Sequence, residues 1–312
     1  MSVIFEKMAL IGVGLIGSSI AQAARANNIV GQISVATRRQ STLDEAVSID
    51  IADNYSLSAA EAVKDADLVI LCAPVGASEK IMQEIAPSLK PGAVLSDVGS
   101  VKAHVLDVIG PLVPEGVHFI PGHPMAGTEN SGPLSGFAEL FEGRWCILTP
   151  QSNVDVNVLE RLKNFWLKLG SQIEIMDAKH HDLVVAITSH VPHLVAYNIV
   201  GTVDDMETVS KSEVIKFSAG GFRDFTRIAA SDPIMWRDVF LTNREAVLEM
   251  LGRFLEDLSI LQRAVRVGDG DALEDLFTRT REIRRSIIDA GQETGEVDFG
   301  RVHTPPSGLD KE

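Results

Sequence analysis

Short apolar runs alternate with longer stretches of helical period through the first half of the chain, at 8–13, 32–36, 68–72, 93–97, 118–120, 146–148 and 173–176. Runs this short, each followed by a helix-length stretch, predict an α/β domain in which a mainly parallel sheet is covered on both faces. Leu159, Leu162, Phe165, Trp166 and Leu169 repeat at helical period, and Gly170 stops that helix before the last strand. After about residue 177 only helical periods remain, so the boundary of an all-helical second domain is set there. The stretch 183–203 is apolar but is interrupted by His190, Pro192, His193 and Asn198, and we read it as a buried helix rather than a membrane span.

Further on, Val247, Leu251, Phe254, Leu258, Leu261 and Val265 fall at spacings of four and three, which keep one apolar seam along a long helix. Such a seam packs another helix, either of the same chain or of a second copy. Gly268 to Asp271 close that helix and open another carrying Leu273, Leu276, Phe277, Ile283 and Ile287, with Arg279, Arg281, Arg284 and Arg285 as a solvated face. The chain thus divides into a dinucleotide-binding, Rossmann-type domain at 1–176, a helical domain at 177–290 and a tail at 291–312 expected to be disordered.

Charge narrows the partners. The 312 residues carry 28 Lys and Arg against 43 Asp and Glu, a net −15, which disfavours nucleic acid and anionic membrane surfaces. An anionic small-molecule ligand must then be met by locally placed cations. Cys72 and Cys146 lie far apart in apolar runs without metal-ligand spacing, which indicates reduced thiols, a cytoplasmic location and no metal site. The first seven residues lack the pattern of a signal peptide.

Gly12-Val13-Gly14-Leu15-Ile16-Gly17 directly follows the first strand and opens a helix, the context in which a glycine-rich turn binds a dinucleotide. Gly12 allows the tight turn, Gly14 lets backbone approach a pyrophosphate, and Gly17 permits close helix–strand packing, while the N–H groups around Leu15 and Ile16 face the anion. The second strand runs into Thr37-Arg38-Arg39 where a ribose-binding carboxylate would stand. A hydroxyl and two guanidiniums suit a 2′-phosphate, so NADP is the expected cofactor, with NAD and merely surface arginines as the alternative. Cys72-Ala73-Pro74 end a further strand beside the expected nicotinamide ribose. Ligands bind beyond the carboxyl ends of such strands, so this tip, Asp97 to Ser100 and Gly122 to Pro124 should converge, with Ser100 and His123 as the polar candidates.

The glycine turn, Asp97-Val98-Gly99-Ser100-Val101-Lys102, Gly122-His123-Pro124-Met125-Ala126-Gly127-Thr128 and Gly220-Gly221-Phe222-Arg223-Asp224-Phe225-Thr226-Arg227 together resemble the prephenate/arogenate dehydrogenase family, over about residues 8–288. The resemblance implies a homodimer built by the helical domain and oxidative decarboxylation of prephenate or arogenate to 4-hydroxyphenylpyruvate or tyrosine. It makes His123 the catalytic histidine, with Ser100 sharing a hydrogen bond beside it, and gives substrate contact to Ser189, His190 and His193. Arg227 is the candidate carboxylate anchor, since a dianion entering an acidic protein needs a fixed bidentate cation. Asp224 is a candidate for holding local geometry and Glu129 for pairing with a basic residue near the site mouth, with an ordinary surface or structural ion pair as the alternative for both, and Trp236 either lines the pocket or belongs to the core. Two other readings remain open at this point: a 3-hydroxy-acid dehydrogenase, whose helical-domain lysine motif is missing here, and an NADP-binding redox sensor, which would not need Ser100, His123 and Arg227 together.

Overall fold

The computed structural model describes residues 3–128, 130–205 and 220–289. Its main sheet has six parallel strands in the order β3-β2-β1-β4-β5-β6: β1 (Phe5–Ile11), β2 (Val30–Ala36), β3 (Asn54–Ser56), β4 (Leu68–Leu71), β5 (Val94–Asp97) and β6 (His118–Phe119). Met8 to Ile11 are buried without alternation because helices cover both faces of this central strand. One apolar cluster lies under α1 (Leu15–Ala26) and α6 (Val156–Lys168) and contains Phe165 and Trp166; the other lies under α4 (Ser78–Ile85) and α5 (Ala103–Ile109). Strand order reverses between β1 and β4, which places a ligand crevice at their carboxyl ends.

The runs 146–148 and 173–176 do not extend this sheet. They form β8 (Trp145–Leu148) and β9 (Gln172–Ile175), which with β7 (Gly122–Pro124) build a second, three-stranded sheet. The side chain of Asp97 makes the break. Ile120 N–H still reaches Leu95 O across the main sheet, Pro121 has no N–H to offer, and Gly122 N–H is taken by Asp97 Oδ1 at 3.2 Å. The chain then pairs antiparallel with β8, His123 opposite Ile147.

Asp155 caps α6 by accepting from Asn157 N–H, and Gly170, at φ 95°, ends it in the left-handed region that favours glycine. Beyond β9, Asp177 caps α7 (Ala178–Val185), which widens into a π-helical turn at Ala186–His190 before α8 (Val191–Asp204). Pro192 in the first turn of α8 lacks the N–H that a regular helix would use, and the wide turn absorbs that loss. The expectation of a buried helix at 183–203 is corrected here: Val185, Ala186, His190, Val191 and Ala196 are buried, whereas Ile187, Ile199 and Val200 are exposed. This run, 178–204, is long and apolar enough to span a membrane by length and composition alone.

Two compact units divide the chain, one through Met250 and the other from Leu251. The first also holds α9 (Gly220–Thr226) and α10 (Pro233–Thr242). The second begins within α11 (Arg244–Val267) and contains α12 (Gly270–Asp289). Along the seam Val247 is buried and Leu251, Phe254 and Leu261 are half-buried, whereas Leu258 and Val265 on α11, and Phe277, Ile283 and Ile287 on α12, are exposed, so the described residues cover it only in part. The expected tail at 291–312 lies outside the described residues.

Candidate active site

The glycine turn performs its three mechanical tasks in distinct ways. Gly12 sits at φ 96°, and a Cβ there would meet the Cys72 carbonyl carbon and oxygen at 2.8 Å, so neither the turn nor its approach to β4 tolerates a side chain. A Cβ on Gly17 would lie 2.6 Å from Gly12 O, which explains the tight seating of α1. Around Gly14, by contrast, a Cβ would meet nothing within 4 Å, and α1 starts there without a side-chain cap or an acidic residue in its first turn. Open backbone, unclaimed N–H groups and the positive end of a helix dipole fit the pyrophosphate of a nicotinamide dinucleotide.

At the tip of β2, Thr37 is half-buried with its N–H on Ser56 O at 3.2 Å, while Arg38 and Arg39 are exposed and form no ion pair among the described residues. Cys72 and Ala73 at the end of β4 are half-buried and Pro74 is exposed. Both cysteines are free thiols.

Beneath the crevice, the β5 tip holds a buried charge pair, Asp97 and Lys102, to which the sequence motif alone assigns no role. Lys102 is wholly buried; its Nζ donates to Asp97 Oδ2 and to Gly122 O at 2.7 Å. Asp97 also accepts from Gly99 N–H at 2.8 Å, so one carboxylate fixes the loop bearing Ser100 and the first residue of β7. Burial lowers the Lys102 pKa from the ordinary lysine value, and the Asp97 charge and hydrogen bond oppose that shift.

His123 therefore stands on a strand anchored from two sides. It is 8% exposed, and its Nδ1 lies 2.8 Å from Nε2 of His181, whose own Nδ1 lies 2.8 Å from Asp182 Oδ1. Burial pushes the His123 pKa well below the usual histidine value, and His181, Lys102 and His190 act in the same direction. The shift favours the neutral imidazole, the form a base needs. His181 is also held below the usual value, by burial, with Asp182 opposing. No expectation named His181 or Asp182, although a His-His-Asp run following a helix cap at Asp177 was visible in the sequence.

The π-turn and the two helices beyond it arrange the remaining candidates. His190 is fully buried, with Nδ1 3.1 Å from Asn243 Nδ2 and no partner for Nε2 among the described residues; burial pushes its pKa down to about 4. His193 Nδ1 lies 2.8 Å from Ser189 O, and its ring stacks on Trp236 with centroids 3.6 Å apart. Of the two roles weighed for Trp236, the structure shows the core one. The indole belongs to the apolar cluster under α4 and α5, and it forms the platform for His193. Arg227, half-buried just after α9, is near enough for its charge to lower the His193 pKa, behind the larger effect of burial. Asp224 is exposed and pairs at 3.5 Å with its neighbour Arg223, away from these contacts. Glu129 lies outside the described residues. Asn243, whose Nδ2 donates to Asp182 O at 2.8 Å, ties the His190 group to the His123 group and was not foreseen.

A parallel sheet with a glycine turn at its crevice, and buried imidazoles with lowered pKa values near its carboxyl edge, fit a nicotinamide-dependent dehydrogenase. Residues 20–175 match the family model described as prephenate dehydrogenase, nucleotide-binding domain, and residues 177–279 match prephenate dehydrogenase, dimerization domain. Cyclohexadienyl dehydrogenase of Zymomonas mobilis is 39% identical over 91% of this chain and 97% of its own. The crystal structure of prephenate dehydrogenase from A. aeolicus, in complex with hydroxyphenyl propionate and NAD+, superposes with a TM-score of 0.82 at 33% identity, covering 92% of this chain and 99% of that one. Synechocystis arogenate dehydrogenase gives a TM-score of 0.74 at 26% identity, over 90% and 99%. The chain belongs to the prephenate dehydrogenase family, and it is an enzyme.

Proposed function

We propose that this chain oxidatively decarboxylates prephenate, arogenate or both in tyrosine biosynthesis, with NADP preferred over NAD. The His123 environment carries this reading: a neutral base at the carboxyl edge of a dinucleotide-binding sheet, held by a relay that leaves one ring nitrogen for substrate. When bound, the nicotinamide supplies the hydride acceptor for C4 of the substrate. His123 takes the proton of the C4 hydroxyl as that hydride leaves. Loss of the ring carboxylate as CO2 sends its bond pair into the ring, and His123 returns the proton to the oxygen, now phenolic. Overall no proton is released, so His123 serves as base and then as acid. Ser100 shares the hydroxyl's hydrogen bond, and Arg227 grips a carboxylate with Ser189, His190 and His193 around it. Glu129 remains assigned to pairing with a basic residue near the site mouth, and Asp224 to local geometry through its pair with Arg223.

The domain boundary near 176 follows the change from strands to helices, and the exposed seams of α11 and α12 support a homodimer joined through the helical domain. A cytoplasmic location accords with a small-molecule biosynthetic role.

The decisive experiment is an absorbance assay of reduced nicotinamide, crossing both substrates with NAD and NADP. Turnover with either substrate is expected, and faster with NADP; no turnover by folded, cofactor-binding protein would overturn the reaction. Replacing Arg38 by Ala should raise the KM for NADP roughly tenfold, the loss of one charge-assisted contact, and leave that for NAD nearly unchanged. Equal effects on both cofactors would remove the basis for NADP preference. Arg227→Ala should raise the substrate KM by about 10- to 100-fold with a smaller change in kcat, since a gripped carboxylate is bound alike in ground and transition states.

A further inference from the structure

His181 and Asp182 are buried on α7, touch His123 or its immediate neighbour, and take no proton in the steps above. Their hydrogen bonds run in one direction only. Asp182 Oδ1 accepts Lys102 N–H at 2.7 Å and Oδ2 accepts Ala103 N–H at 2.9 Å, so backbone at the start of α5 holds the carboxylate in place. A carboxylate only accepts, so His181 Nδ1, 2.8 Å from Oδ1, carries the proton. A neutral imidazole has one N–H, which makes His181 Nε2 an acceptor. The group 2.8 Å from it is His123 Nδ1, which must then donate. The lone pair of His123 is left on Nε2.

We propose that His181, oriented by Asp182, is a positioning residue that fixes His123 in the Nδ1–H tautomer and so presents Nε2 as the base. This rests on the reading of His123 as the base and goes beyond it by stating which nitrogen acts and what selects it. An unheld neutral imidazole divides its population between two tautomers, and the wrong one offers an N–H where a lone pair is needed. Once Nε2 has taken the substrate proton, both His123 nitrogens carry hydrogen, and the bond from Nδ1–H to His181 strengthens because its donor is now charged. That stronger bond works against the burial and neighbouring positive groups that otherwise hold the His123 pKa down. Around His123, the charged or titratable groups among the described residues are His181 and Asp182 from α7, Lys102 and Asp97 from the β5 loop, His190 from the π-turn and the Cys146 thiol from β8.

The test begins with unaltered protein. Nitrogen-15 spectra of histidine-labelled enzyme, with His123→Asn and His181→Gln used to assign signals, should show His123 and His181 both protonated at Nδ1 and bare at Nε2. Protonation of His123 at Nε2 would overturn the proposal without requiring any variant to fold. In kinetics, His181→Leu should lower kcat on the order of 10²-fold with substrate KM and cofactor affinity little changed. His181→Gln, whose amide oxygen can still accept from His123 Nδ1–H, should recover much of that loss. Equal losses in the Leu and Gln variants would make His181 a packing residue and defeat the proposal. Failure of the underlying reading looks different: His123→Asn would then keep its turnover whatever tautomer the spectra show.

Discussion

Asparagine in place of His123 should cut kcat roughly 10²- to 10⁴-fold, the usual contribution of a positioned acid–base group, while the dissociation constant of NADP or NAD stays within about twofold. The side chain is chosen for its surroundings. An Asn amide can still donate to His181 Nε2, so no buried acceptor is orphaned and loss of activity is not confused with unfolding. Cofactor affinity should survive because the Gly12 turn, the α1 N-terminus and the β2 tip belong to other segments of the sheet edge. The pH profile adds a second check. Only neutral His123 can accept the hydroxyl proton, and burial holds its pKa well below the ordinary value, so the acid limb of kcat/KM should lie below ~6.5. A limb above that value would assign the titration to another group, and a His123→Asn enzyme with near-normal kcat would remove the histidine from the chemistry.

The parts of this site legible in sequence were those whose residue types have few alternative uses. A glycine turn after an apolar run tolerates no side chain at Gly12 or Gly17, and the structure shows why at each position. His123 was found through its motif, but its strand was not, because Gly122-His123-Pro124 has neither alternation nor β-branched residues; it forms because Asp97 and Lys102 hold its first residue. The same contacts explain why one expected sheet became two. Short-range patterns report an element's own preference and not which edge accepts it. His181, Asp182 and Asn243 escaped for a related reason, since their partners are 58, 80 and 61 residues away in the chain. Helix 183–203 was expected to be buried because apolar composition was equated with the core of one chain, whereas such a face can be covered by another copy.

The second large effect concerns the charge pair that sets this frame. Asp97→Ala should destabilise the protein by about 3–5 kcal/mol, the cost of leaving a buried charge without its partner. Lys102 has no exposure, and without Asp97 its Nζ keeps only the Gly122 carbonyl. The loss should shrink as pH rises toward ~10. Burial lowers the Lys102 pKa in the folded protein, and removing Asp97 takes away the charge that opposed this, so the folded variant releases a proton that the unfolded chain still binds. Stability rises with pH wherever the unfolded state holds more protons. Adding Lys102→Met to Asp97→Ala should restore part of the stability at neutral pH, because an apolar side chain of similar length removes the unpaired charge and fills the same buried space. Activity should not return with it. Gly99 N–H, Gly122 N–H and Gly122 O would all still lack their partners, leaving the Ser100 loop and the His123 strand without the bonds that place them. Urea midpoints for the three proteins at two pH values, with kcat measured alongside, separate these effects. A single variant that loses less than about 1 kcal/mol, or a double variant that regains both stability and turnover, would show that the pair neither sustains the fold nor positions the base.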